Sequence, residues 1–244
     1  MPRPYIGITG FMNAQEVDTV LRAVPKDFAR LVMIGVLMSN KTLYGVKNKY
    51  PNRYPGLETL WNIFSNDERA LNLIHFSTDH PDTLYSDLCR AQELAGPNCH
   101  GFQLNMRWPD PAVVERYRLK VPFRKKTIVL QCGAGALSAK QLVDRLDQYY
   151  GLIDYVLLDE SGGTGKEFDG EKLVDLVHCI KSTLPNVGVG VAGGLCASSV
   201  DRLSPLQGWV NISVDAEGKL RDENDNLMLR EAVKYLFAAA EVLL

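Results

Sequence analysis

Leu157-Leu158-Asp159 ends an apolar run on a carboxylate, and Glu160-Ser161-Gly162-Gly163-Thr164-Gly165 follows at once. A strand-end acid beside a loop with three glycines within four residues suits proton transfer under a closing cover. Asp159 is therefore the leading candidate for a general acid, with capping of the next helix as its plain alternative. Gly162 and Gly163 are candidate substrate contacts, or simply turn glycines. Some thirty residues on, Ala192-Gly193-Gly194-Leu195 offers backbone amides to an anion. Gly193, Gly194 and Ser213 form the candidate phosphate site.

Side chains alternate along a strand, so the acid implies which neighbours share its face. On that pattern Thr9, His75 or Ser77, Gln103, Asn105 and Gln131 ring the same opening as Asp159. Gln103, Asn105 and Gln131 are candidate substrate contacts. His75 and Cys132 are reserve candidates for a base, although a rim histidine is as often a satisfied polar group and a cysteine ending an apolar run is usually core. Residues 39–56 carry Lys41, Lys47, Lys49 and Arg53 among three tyrosines, with no acidic residue. A basic aromatic loop suits an anionic, partly aromatic substrate. Solvated surface is the reading preferred for its lysines, and Arg53 is the candidate ligand.

The elements that must position these residues are short apolar runs alternating with amphipathic ones. Strands are expected at residues 5–9, 30–38, 71–77, 101–105, 127–132, 155–159, 187–191 and 210–214. Helices are expected after Asn13, at 57–65, from Pro81 to Gly96, from Pro111, after Ser138, at 170–184 and at the C-terminus, with a short one between the last two strands. Eight strand-helix pairs predict an α/β protein, a TIM (β/α)8 barrel formed as one domain over residues 1–244. A doubly wound dinucleotide fold is disfavoured, because Gly7 and Gly10 do not make the G-x-G-x-x-G turn after the first strand.

With 27 basic and 29 acidic side chains the net charge is -2, which gives no global pull toward nucleic acid or an anionic membrane. Five cysteines, mostly inside apolar runs, fit reduced thiols in the cytoplasm, and neither a signal core nor a membrane span is visible. No cysteine and histidine cluster has metal-ligand spacing, so neither metal nor cofactor is expected. A small-molecule phosphorylated substrate, and a monomer or homodimer, are expected.

The stretch from Tyr155 to Leu195 closely resembles the phosphoribosylanthranilate isomerase family of tryptophan biosynthesis, whose sixth strand ends L-L-D and continues G-G-T-G-K/Q-x-F-D. Elsewhere the likeness is weaker. Tyr5-Ile6-Gly7-Ile8-Thr9 resembles that family's K-I-C-G-I-T, and Gln103-Leu104-Asn105 its Q-L-H-G. Asn52-Arg53-Tyr54 resembles its S-P-R-Y-V, where the arginine holds the substrate's anionic end. The resemblance implies a barrel of the ribulose-phosphate-binding type and an Amadori-type aldose-ketose isomerisation, with Asp159 as acid. It also implies a loss. Ile6 stands where the family's general base is a cysteine, Asn105 replaces a histidine, and Asp215 adds a negative charge where the eighth strand nears the phosphate. The expectation is a poor or altered isomerase acting on a phosphorylated sugar or related anion, improved by Ile6→Cys. The alternative is a diverged barrel that binds a ligand or partner protein without this chemistry.

Overall fold

The computed structural model describes residues 1–106, 108–122, 126–133, 137–159, 170–209 and 211–243, with side chains described from residue 173 in the fifth stretch. Eight parallel strands close on themselves in sequence order: β1 Tyr5–Thr9, β2 Leu31–Ser39, β3 Ala70–Ser77, β4 Gly101–Leu104, β5 Thr127–Cys132, β6 Tyr155–Asp159, β7 Gly188–Ala192 and β8 Ile212–Ala216. The helices are α1 Ala14–Ala23, a single-turn α2 Asn40–Leu43, α3 Leu84–Ala95, α4 Pro111–Lys120, α5 Ala139–Leu146, α6 Gly170–Thr183 and α7 Leu229–Val242. The expected barrel is thus the observed one.

Local chemistry explains most boundaries. The Asn13 side chain accepts the Glu16 amide at 3.0 Å, while Glu16 Oε2 reaches back to the Met12 amide at 2.7 Å. Ser138 and Gln141 form a reciprocal capping box at the start of α5. Asp110 caps α4, with Pro111 in its first turn.

Two elements depart from expectation. Residues 57–65 form one 3-10 turn, Leu60–Asn62, instead of a helix. Leu60, Ile63 and Phe64 still enter the core. The Thr59 hydroxyl donates to the Gly56 carbonyl and the Ser65 hydroxyl accepts the Asp67 amide, so side chains compete with helical bonding at both ends. The eighth strand lies two residues later than expected, because Asn211 has φ of 77° and cannot begin an extended run. That shift decides which of its residues reach the mouth.

The strands separate two apolar layers. Ile6, Ile8, Val32, Ile34 and Cys132 belong to the outer layer against the helices. Tyr5, Met33, Leu71, Leu73, Val129, Tyr155 and Leu157 fill the barrel interior. Gly7 and Gly35 leave room for side chains that cross it. A Cβ on Gly7 would lie 2.7 Å from Asp215 Oδ1, and one on Gly35 would lie 2.4 Å from Thr9 Oγ1.

Candidate active site at the barrel mouth

Above the apolar interior lies a polar layer contributed by six strands: Thr9 of β1, His75 of β3, Gln103 of β4, Gln131 of β5, Asp159 of β6 and Asp215 of β8. These stand at or near the C-terminal strand ends, where barrels of this kind place reacting groups. The Thr9 hydroxyl donates to Asp215 at 3.0 Å. Gln103 Nε2 donates to Asp215 Oδ2 at 3.1 Å and lies 3.4 Å from Gln131 Oε1. Gln131 Nε2 in turn donates to Asp159 Oδ2 at 2.9 Å. Two carboxyl groups are therefore tied together through a pair of amides, and both line one small cavity of about 80 Å³.

The electrostatics of this layer follow from burial. Asp215 is 5% exposed and its hydrogen-bond donors are neutral. Burial raises its pKa to about 7, against the pull of the Gln103 and Thr9 hydrogen bonds, and the Glu217 and Asp159 charges push the same way as burial. His75, also 5% exposed, has neither ring nitrogen hydrogen-bonded among the described residues. Burial lowers its pKa, with the Glu217 and Asp159 carboxylates and the Gln131 amide opposing, so the neutral ring is favoured. A neutral imidazole retains one donor and one acceptor to offer to a ligand.

Other expected residues are placed differently. Cys132 follows the inward Gln131, so it points into the outer layer; burial there raises its thiol pKa to about 12, which removes it as a base. Ile6 likewise packs outward between the inward Tyr5 and Gly7, and a thiol there would face helices rather than the mouth. The expectation that Ile6→Cys restores a base is therefore corrected. Gly193 and Gly194 line the cavity with φ of 133° and 60°. Ser213 does not join them: it sits low in the barrel and accepts the Tyr5 amide at 3.1 Å. Gly162 and Gly163 lie outside the described residues.

Arg53 reaches the mouth already engaged. Its guanidinium contacts Asp225 at 2.6 Å and Glu217 at 3.3 Å and lies over the Tyr50 ring, while Asn52 donates to the Asn224 carbonyl. The loop after β2 is thus fastened to the loop after β8. Asn105 is exposed and lines both the mouth cavity and a larger cleft beside it.

Asp215 and Glu217 were absent from the sequence-based candidates. Once β8 is placed correctly, alternation from Asp215 to Thr9 and Gly7 across the β1 pairing would have found the first. Among the described residues no group of three or more His, Cys, Asp or Glu side chains is placed to hold a metal ion. No helix among them is long and apolar enough to cross a membrane.

The fold recurs among solved structures. A phosphoribosylanthranilate isomerase in complex with reduced 1-(o-carboxyphenylamino)-1-deoxyribulose 5-phosphate is 12% identical, with a TM-score of 0.63 over 98% of this chain and 99% of that one. The native KDPGal structure is 11% identical, with a TM-score of 0.57 over 99% and 97% of the two chains. Orotidine 5'-monophosphate decarboxylase from Methanocaldococcus jannaschii is 14% identical, with a TM-score of 0.53 over 96% and 98%. The chain is a TIM barrel. No protein-family model matches it, and no curated protein is similar to it at a significant level. At these identities the likeness carries the architecture, so chemistry has to be argued from the mouth itself.

Proposed function

We propose that this barrel is an isomerase-like enzyme acting on a phosphorylated sugar or a related anionic small molecule, moving a proton between adjacent carbons at its mouth. The observation that carries the reading is the pair Asp159 and Asp215, linked by Gln131 and Gln103 and facing one cavity. Aldose-ketose chemistry needs a donor at the ring or carbonyl oxygen and an acceptor for the proton on C2. Asp159 keeps the acid role that its family resemblance implies. Asp215 takes the acceptor role that Ile6 cannot fill, since a base that gains and loses its proton near pH 7 is matched to neutral conditions. The C2 proton passes to the Asp215 carboxylate, its electrons form the enol or enamine, and reprotonation at C1 gives the ketose. That His75 lines the cavity with its neutral ring favoured supports a role in hydrogen-bonding the substrate. The phosphate compounds named with two of the similar barrels support a phosphorylated substrate here. An odd number of cysteines, five, supports a reducing compartment such as the cytoplasm.

A second reading, a diverged barrel that binds a ligand or partner without turnover, draws on the engaged state of Arg53. Turnover of an aminoaldose phosphate and a panel of sugar phosphates separates the two. The enzyme reading expects Asp159→Asn and Asp215→Asn each to lower kcat by a factor of about 100 to 10,000. It also expects kcat/KM to rise with pH through about 7, as Asp215 ionises. Turnover unaffected by both substitutions overturns the roles given to Asp159 and Asp215, whereas no turnover across the panel favours the binding reading.

A further inference from the structure

Among the described residues, the mouth cavity is too small for the substrate just proposed. At about 80 Å³ it has room for only a few water molecules, whereas ligand pockets run from roughly 300 to 1,000 Å³. A ligand whose reacting carbons lie between Asp159 and Asp215 must therefore extend elsewhere. Among the described residues, the space that meets this cavity at Asn105 is a cleft of about 550 Å³ between the loop after β2 and the ends of β3 and β4.

Charge points to the same place. On the β7 and β8 side, Gly193 and Gly194 share the cavity with Asp159 and Asp215, carboxyl groups that repel an anion when ionised, and Lys219 is the lysine that lines it. Arg53 is neutralised there by Glu217 and Asp225. The cleft instead presents Lys41 and Lys49 against one carboxylate, Asp79, with His80 beside them, and residues 39–56 contain no carboxylate. Lys41 faces Asp79 at 3.9 Å with both side chains largely exposed, an arrangement that holds a cation only weakly. Lys49 is exposed, with its ammonium 4.9 Å from the centre of the Tyr50 ring and no carboxylate beside it among its interactions with the described residues. Asn48 and Asn105 add neutral donors.

We infer that the cleft beside β2, β3 and β4, with Lys41 and Lys49 as its cations, seats the anionic end of the substrate, a phosphate monoester, in place of the glycines after β7. The inference rests on the proton-transfer reading for the position of the reacting end, but its test does not require turnover. Inorganic phosphate is titrated into the full-length chain at pH 7 and followed by ³¹P NMR. The expected result is saturable binding that weakens about tenfold or more in the Lys41→Gln, Lys49→Gln double variant, from loss of two charge-assisted contacts, and is unchanged in Lys219→Gln. Circular dichroism confirms that the double variant is folded. Absence of saturable binding in the unsubstituted chain, binding that survives the double substitution, or loss on Lys219→Gln would each overturn the inference. Should phosphate behave as expected while Asp159→Asn and Asp215→Asn leave turnover intact, the anion seat stands and the proton-transfer reading falls.

Discussion

The lower and upper halves of the barrel interior are built on opposite terms. Below, Tyr5, Met33, Leu71, Leu73, Val129, Tyr155 and Leu157 pack against one another, and Tyr5 meets Tyr155 edge to face at 5.2 Å. Above, His75, Gln131 and Asp159 follow two residues further along β3, β5 and β6, and with Thr9, Gln103 and Asp215 they put polar groups into the same interior, all but Gln131 buried. The lower half gains from leaving water. The upper half gives up stability to hold a carboxyl group and an imidazole away from solvent, which is the usual signature of a site shaped for chemistry.

Substitutions at the two heights should therefore have opposite signs. Leu73→Ala, two residues below His75 on the same face, removes a fully buried side chain from the lower layer. It should cost about 2 to 5 kcal/mol, seen as a fall in Tm on the order of 5 to 20 °C. Asp215→Asn should do the reverse. Its raised pKa means that the folded chain holds a proton the unfolded chain releases, so the favourable contribution of this group is complete below about pH 4 and lost as pH rises through about 7. The variant should be more stable than the parent at pH 8, by as much as a few kcal/mol, with the gain vanishing toward pH 4 in urea titrations. A destabilised Asp215→Asn at pH 8 would break the comparison.

Smaller effects sharpen it. Arg53→Gln removes a partly buried ion pair that fastens the loop after β2 to the loop after β8. The expected loss is about 1 kcal/mol, reduced by added salt, while the barrel's lower half keeps its protection from hydrogen exchange. Ile6→Cys should leave turnover unchanged, because the new thiol joins the outer layer; a tenfold rise would show that residue 6 reaches the mouth after all.

Much of this was legible in the sequence, for local reasons. Apolar runs fixed the eight strands, and Asn13, Ser138 and Pro111 marked helix starts because capping acts over three or four residues. That Asp159, Gln103 and Gln131 share one face was readable because alternation is equally local. The same alternation already sends Cys132 and Ile6 outward, since each adjoins an inward residue. What escaped depended on distance or on a single dihedral angle. Asn211 in the left-handed region moved β8 by two residues, lowering Ser213 and raising Asp215 to the mouth. Arg53 meets partners more than 160 residues away, which no local pattern announces.

The central claim, that Asp159 and Asp215 are a coupled pair of carboxyl groups around one cavity, is tested most directly by NMR titration of the carboxyl carbons in the unsubstituted chain and in Asp159→Asn. The account predicts that Asp215 titrates near pH 7 and that removing the Asp159 charge moves it lower, because that charge helps hold the proton. An Asp215 that ionises near the ordinary aspartate value of about 4, or one indifferent to Asp159→Asn, would contradict it.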